Sequence, residues 1–265
     1  MRVQTIRKLI NRPNGIMLVT GPTGSGKSTT LYAVLNELRS DEVNISTVED
    51  PVEFNLAGVN QFQTNEKAGF TFSNALRALL RQDPDIVMVG EIRDQDTAKI
   101  ATQAALTGHL VLSTLHTNDA PSAITRLINM GVEPYLVAAS VRGVQAQRLI
   151  RRICAQCKEP TEITPQAAHT LERMCQGGPP IETLYRGIGC SKCHNTGYSG
   201  RLGIFELFVP DDEVLDAVIR NASLQELRRL AAASGQYVNL AMDGIDKVRA
   251  GLTTLDELLS AVAVD

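Results

Sequence analysis

Short apolar runs alternate with helically spaced apolar stripes through the first half of the chain. Ile16 to Thr20 is an uninterrupted run ending at Gly21, the pattern of a buried parallel strand entering a turn. From Lys27 onward Leu31, Val34, Leu35 and Leu38 recur at helical spacing, which predicts a helix with one face packed on a sheet. Ile45 to Val48 reads as a second strand. Phe72 to Arg81 returns to helical periodicity and stops before Asp83-Pro84, where the residue preceding proline is biased out of helix. Residues 85–91 (DIVMVGE) form a third strand pattern, 94–106 an Ala-rich helix, His109 to Ser113 a fourth strand and Ala120 to Met130 a further helix. Repeated alternation of this kind predicts an α/β fold, with a mainly parallel sheet covered on both faces.

Near residue 150 the pattern changes. Cysteine pairs, Pro160, Pro165, the run Gly177-Gly178-Pro179-Pro180 and several glycines predict a small loop-rich module. From about Asp211 the stretches LQELRRLAAA and LDELLSAV predict short helices. The expected organisation is a core over 1–150, a cysteine module over 151–202 and a mostly helical region over 203–265. A length of 265 residues suits one full domain plus an appended module.

Composition narrows the function classes. With 43% hydrophobic and 21% charged residues the chain reads as globular, and a net charge of −3 offers no general basic field for nucleic acid or anionic lipid. No apolar stretch reaches membrane-spanning length, so no direct membrane span and a cytoplasmic location are expected.

The strongest chemical signal is Gly21-Pro22-Thr23-Gly24-Ser25-Gly26-Lys27-Ser28, a full G-x-x-x-x-G-K-[ST] pattern between a predicted strand and a predicted helix. Glycines let backbone N–H groups turn toward phosphate oxygens, the helix start adds a favourable dipole, and Lys27 brings a positive charge to the β/γ-phosphates. Ser28 is the expected Mg²⁺ ligand. Glu91 ends the third strand, where such proteins place a metal-side carboxylate, although a single acid after an apolar run also occurs as a solvated strand end.

Glu49-Asp50-Pro51-Val52-Glu53 follows the second strand, at the same end of a parallel sheet. A carboxylate there could orient or deprotonate an attacking water, and Glu53 is favoured; an acidic turn before proline is equally an ordinary surface feature. His109 opens the fourth strand and His116 follows it. Seven residues apart, they fall on opposite faces of a regular strand and need not meet. Either reads as a packing or capping histidine by pattern alone, while His116, at the C-terminal end of the sheet, is placed to sense a γ-phosphate.

The cysteines form two C-x-x-C pairs, Cys154/Cys157 and Cys190/Cys193, with Cys175 between them. Each pair can supply two thiolates to adjacent corners of a zinc tetrahedron; four sulfurs leave no open position, so Zn²⁺ held here would be structural. Two disulfides or free buried thiols are the alternative, and Cys175 and His194 are possible substitute ligands.

Taken together, GPTGSGKSTTLYA, TVEDPVEF, LRALLRQDPDIVMVGEIRD and TGHLVLSTLHTNDA resemble, in order, the Walker A, Asp-box, Walker B and His-box regions of the type II/IV secretion traffic ATPases. The resemblance continues through the cysteine module and GRLGIFEL, so it covers nearly the whole chain. It implies a RecA-like fold and binding of ATP by Gly21 to Ser28 and Thr29. It further implies Mg²⁺ at Ser28 and Glu91, water activation by Glu53, and phosphate-linked sensing by His109 and His116. Arg77 and Arg81, one helical turn apart, are implied to lie near the nucleotide and a subunit contact; a solvated helix face is their alternative.

The family pattern also implies a homo-hexamer, associated peripherally with the inner membrane through a platform protein, that drives assembly of a pilin-like fibre. Its tetracysteine insertion goes with secretion and pilus extension rather than retraction. Family members carry a domain before the phosphate loop, and with about twenty residues ahead of Gly21 this sequence is expected to be a piece of a longer protein. Two other functions compete: a nucleic-acid translocase or conjugation ATPase, disfavoured by the acidic balance, and a zinc-bearing adaptor without catalysis, disfavoured by intact Lys27, Glu53 and Glu91.

Overall fold

The structure is a computed structural model that describes residues 2–175, 179–235 and 237–262. Gly177 and Gly178 of the expected loop-rich module lie outside the described residues. Contacts divide the chain into two compact units that interleave in sequence: Met1–Ala146 with Leu207–Tyr237, and Gln147–Glu206 with Val238–Asp265.

In the first unit α1 (Arg2–Ile10), β1 (Gly15–Thr20), α2 (Lys27–Leu38), β2 (Ile45–Glu49), β3 (Asn60–Gln63) and α3 (Phe72–Leu79) come first. They are followed by β4 (Ile86–Val89), α4 (Gln95–Leu106), β5 (Leu110–Leu115), α5 (Pro121–Asn129) and α6 (Pro134–Ser140). β6 (Val141–Ile153) leads into the second unit and β9 (Tyr198–Phe208) leads back. The sheet order is β3-β2-β4-β5-β1-β6-β9. Each pairing from β3 across to β6 is parallel, with Thr20 level with Leu115 and Val89 level with both Val48 and Ser113. The mixed, mostly parallel α/β architecture expected from the alternation is present. The short edge strand β3 and the helix α6 carry too little apolar periodicity to have been read.

Period two explains the double burial. Along β1, Ile16 and Leu18 enter the core cluster shared with Val87, Val89, Val111 and the helices α3 to α6, whereas Met17 and Val19 enter the cluster shared with Leu31, Leu35, Met88 and Leu112. All six residues of β1 and of β5 are buried, as a central parallel strand requires. Helix starts follow local chemistry: Thr71 and Asp94 accept from the backbone N–H groups of Asn74 and Thr97, capping α3 and α4.

Residues Leu207–Tyr237 return to the first unit, where α8 (Asp212–Ile219) and α9 (Leu224–Ala233) contribute Val214, Ala217, Val218, Leu227 and Leu230 to the larger core cluster. The second unit holds an antiparallel pair, β7 (Lys158–Thr161) and β8 (Leu184–Gly187), with α7 (Pro165–Cys175), α10 (Leu240–Arg249) and α11 (Leu255–Ala261). Its core is built on Ile150, Leu171, Leu184, Ile204, Val248 and Leu258. The segment expected to be loop-rich therefore contains regular elements, stabilised by packing onto helices from the far end of the chain. Among the described residues, no helix is long and apolar enough to cross a membrane.

Leu18 is wholly buried at the centre of β1. Leu18→Ala should destabilise the first unit by about 2–5 kcal/mol, read as a lower urea midpoint with unchanged m-value.

Candidate functional site: a phosphate loop and a cysteine cluster

β1 ends at Thr20 and α2 begins at Lys27, with Gly21 to Gly26 as the connection. Gly24 and Gly26 adopt φ of 78° and 88°, a left-handed backbone that a side chain would strain. Gly26 occupies the N-cap of α2 without a side-chain cap bond, and the first turn carries no acidic residue. A helix start with these properties presents backbone N–H groups and positive dipole to an anion. Lys27 Nζ donates to the Gly21 and Pro22 carbonyls at 2.9 and 3.1 Å, so its charge already lies across the loop. Pro22, Thr23, Ser28 and Thr29 are exposed, and Ser25 is buried.

The adjacent strand ends add the carboxylates. Glu91 lies two residues beyond β4. Its Oε1 is 3.1 Å from His116 Nε2, and its Oε2 accepts from Arg93 Nε at 2.7 Å. The Arg93 guanidinium also donates to Asp50 Oδ2 at 3.2 Å and stacks over the Phe72 ring at 5.6 Å. The Glu91 hydrogen bond, then the Asp50 contact, holds the Arg93 pKa above its ordinary value.

Backbone ties fix this group. Thr114 Oγ1 donates to the Gly90 carbonyl at 2.7 Å, and the Ile92 N–H donates to the Thr114 carbonyl at 3.1 Å, bracketing Glu91. The Thr117 N–H donates to Thr20 Oγ1 at 2.9 Å, which ties the residue after His116 to the end of β1.

Glu49 and Glu53 have different environments. Glu49 is buried, with its carboxylate accepting from Tyr32 Oη, from Thr47 Oγ1 at 2.6 Å and from Gln61 Nε2 at 3.1 Å. Its lone pairs are committed to the fold. Glu53 is exposed, and its backbone N–H donates to Tyr32 Oη at 3.2 Å. Of the two, only Glu53 presents a carboxylate to solvent.

Three expected site residues are not brought to this edge. His109 precedes β5 and lies at the opposite, N-terminal edge of the sheet, where Nδ1 is 3.0 Å from the Ala104 carbonyl. β1 alone spans about 20 Å between the two edges, too far for a histidine side chain to reach the phosphate loop of its own chain. The two histidines sit beyond opposite ends of β5 and do not meet, as the spacing allowed. Arg77 is in the last turn of α3, and Arg81 is in the turn after it, beside Gln82, whose carbonyl accepts from Asn44 at the start of β2. Both arginines are exposed: Arg81 lies near that N-terminal edge, the Arg77 guanidinium turns back along α3 to Asn74 Oδ1 at 3.5 Å, and among the described residues neither contacts the loop between Gly21 and Gly26. Conversely, Arg93, Asp50 and Tyr32 were missed as site residues. Arg93 had a signal, since it stands two residues after Glu91 and so on the same side of an extended chain.

In the second unit the four thiols of Cys154, Cys157, Cys190 and Cys193 lie within 4.8 Å of one another. Cys154 to Cys190 is 3.9 Å, Cys157 to Cys193 is 3.8 Å and Cys190 to Cys193 is 3.7 Å. A zinc tetrahedron with bonds of about 2.3 Å has edges of about 3.8 Å, so the cluster fits the ion. A disulfide needs about 2.05 Å between sulfurs, and all four cysteines are free.

The two cysteine-bearing segments approach over bare backbone: a Cβ on Gly187 would stand 2.0 Å from the Gly197 carbonyl oxygen. Burial opposes ionisation of Cys193, but backbone N–H donors at Cys190 and Gly197 outweigh it and bring the thiol down to about 6. Burial pushes the Cys157 thiol up to about 12. Cys175 lies apart, 3.9 Å from an Arg249 nitrogen, and His194 is exposed; neither belongs to the cluster.

The chain is 53% identical over 253 residues to the Type II secretion system ATPase E of Vibrio cholerae, covering 96% of this chain and 49% of that protein. It is 50% identical over 259 residues to the Type IV pilus assembly ATPase PilB of Thermus thermophilus, covering 97% of this chain and 29% of that protein. The chain thus spans half or less of the length of these two relatives. Among solved structures, the pilus retraction motor PilT with bound ADP superposes with a TM-score of 0.73 at 28% identity, covering 98% of this chain and 64% of that one. The sequence pattern of the family described as Type II/IV secretion system protein matches residues 1–260, and the chain belongs to that family.

Proposed function

We propose that this chain is the ATP-hydrolysing portion of a motor that powers assembly of a pilus or pseudopilus, in type IV pilus biogenesis or type II secretion. The observation that carries the reading is the gathering of the Lys27 loop, the Glu91–His116 pair and the Glu53 loop at one sheet edge, in a chain of this family. The proposed fold description is RecA-like, with a motor core over 1–150, a zinc module over 151–202 and a helical region over 203–265 that divides between the two units after Tyr237.

Backbone N–H groups from Gly21 to Ser28, with Thr29 beside them, cradle the phosphates of ATP. Lys27 exchanges its bonds to the Gly21 and Pro22 carbonyls for bonds to β/γ-phosphate oxygens. Ser28 and Glu91 hold Mg²⁺, which neutralises charge on the phosphate oxygens when bound. His116, paired with Glu91, reports on the γ-phosphate. Glu53, exposed on its loop, orients and deprotonates the attacking water. Arg93 keeps the Glu91 carboxylate in register with His116. Arg77 and Arg81 are proposed for the subunit contact alone.

Membership of the family supports a wider setting for this reading. It comprises a homo-hexamer at the cytoplasmic side of the inner membrane, an inner-membrane platform protein as partner, and no nucleic acid. Zn²⁺ at Cys154, Cys157, Cys190 and Cys193 is structural: it closes the chain between the two pairs and supplies folding energy to that module.

Three experiments test these assignments. Lys27→Ala removes the cation that reaches the phosphates and should weaken ATP binding about tenfold or more; affinity close to the parent would remove Lys27 from the role. In the assembled protein Glu53→Gln should lower kcat about a hundredfold or more while affinity holds, and undiminished phosphate release would reassign the base. Stimulation of phosphate release by single-stranded DNA would instead favour a translocase. Elemental analysis should find one zinc per chain, and Cys157→Ser should lose the metal and speed amide exchange across residues 150–200 with ATP affinity retained. Purified protein without stoichiometric zinc would overturn the structural-metal reading.

A further inference from the structure

Tyr32 lies on α2 four residues after Ser28, one turn further along the helix that begins at the phosphate loop and on the same face as Ser28. Its ring is buried, and the Phe54 ring meets it edge-on with centroids 4.6 Å apart. Its hydroxyl has one proton and two lone pairs. The proton goes to Glu49 Oε2, and a lone pair accepts the Glu53 N–H at 3.2 Å.

Glu49 is the fixed point of this arrangement, because Thr47 and Gln61 complete its hydrogen bonds from the sheet. Gln61 holds the same loop from the other side: its Nε2 donates to the Phe54 carbonyl at 3.2 Å and its Oε1 accepts the Leu56 N–H at 2.6 Å. The segment carrying Glu53 is thereby fastened at three backbone atoms by two side chains, each bonded to one buried carboxylate.

We infer that Tyr32 is a positioning residue for hydrolysis, transmitting the position of the phosphate-loop helix to the Glu53 loop through its hydroxyl. The inference rests on the reading of Glu53 as the water-activating group. Gly26 and Lys27, which open α2, define the phosphate end of the helix, and the Tyr32 hydroxyl defines the distance from that helix to the Glu53 backbone. A carboxylate that must meet a water in line with the γ-phosphate is sensitive to displacements of about 1 Å. An exposed loop without these bonds would sample many such positions. Burial, followed by the hydrogen bond to Glu49, pushes the Tyr32 pKa up to about 12, so the hydroxyl keeps its proton, and its donor role, across the neutral range.

The test is Tyr32→Phe, which keeps the ring and its contact with Phe54 and deletes only the hydroxyl. In the assembled protein kcat should fall about tenfold, the scale of one lost positioning hydrogen bond, while the Kd for ATP stays within about threefold. In parallel, the Glu53 amide should exchange about tenfold faster, since its acceptor is gone. Leaving Glu49 short of a donor could unfold the region; Tyr32→Phe combined with Glu49→Gln removes that buried charge and is read the same way. Parent-like kcat in either folded variant, beside an inactive Glu53→Gln, overturns the inference. So does an equal loss of kcat and ATP affinity, which would mark a merely structural tyrosine. If Glu53→Gln itself turns over normally, the base assignment fails independently. The Tyr32 link is then decided by the Glu53 amide: unchanged exchange rejects it, and faster exchange retains it as an anchor of the loop.

Discussion

The parallel register of β2, β4, β5 and β1 is the constraint on which the candidate site depends. Parallel strands release their chains at a common edge, and these four are held level by ladder hydrogen bonds at Val48, Val89, Ser113, Thr20 and Leu115. Gly21, Asp50, Glu91 and His116 each leave the sheet within two residues of a strand end. A slip of one residue in any strand would exchange the side chains that face the two cores, spoiling the packing of each, and would shift its functional residue out of the group.

Around that edge, buried polar side chains convert strand position into side-chain position. Thr114 fixes the backbone beside Glu91, Thr20 fixes the residue after His116, and Glu49 fixes Tyr32 and Gln61. Each of these groups is satisfied by a specific partner, and such bonds are costly to leave unmade in a low-dielectric interior. The exposed carboxylate of Glu53 contrasts with the committed one of Glu49, four residues away in the same acidic box. Burial and hydrogen bonding separate two acids that look alike in composition: one holds the loop and the other is presented by it.

The cysteine cluster obeys a different logic. Its segments lie far apart in sequence and meet where Gly187 and Gly197 allow backbone contact, so little apolar surface holds them at the point of closure. Four thiols gather there at a spacing that suits a tetrahedral metal, whose binding would crosslink the segments where hydrophobic burial is scarce. The neighbouring core of the same unit is completed by α10 and α11, from the end of the chain.

Local chemistry in the sequence determined a great deal. The alternation of apolar runs and helical stripes set the mostly parallel α/β fold, because burial on both faces leaves a readable pattern in each strand. The phosphate-loop glycines and Lys27 were legible because a left-handed turn followed by a helix start needs those residues in that order. The C-x-x-C pairs were legible because a tetrahedral ion needs pairs of thiolates.

Tertiary structure alone decided which distant groups meet. Nothing along the chain shows that Leu207–Tyr237 returns to the first unit, since its apolar stripes would fit any apolar face. Nor does it show that Arg93 bridges Glu91 and Asp50, or that Tyr32 reaches Glu53, because these contacts depend on strand register and helix placement. His109 marks the limit most clearly. Close to His116 in sequence, it lies a full strand length away because the intervening residues are extended, and an extended strand converts a short separation in sequence into the greatest distance its length allows.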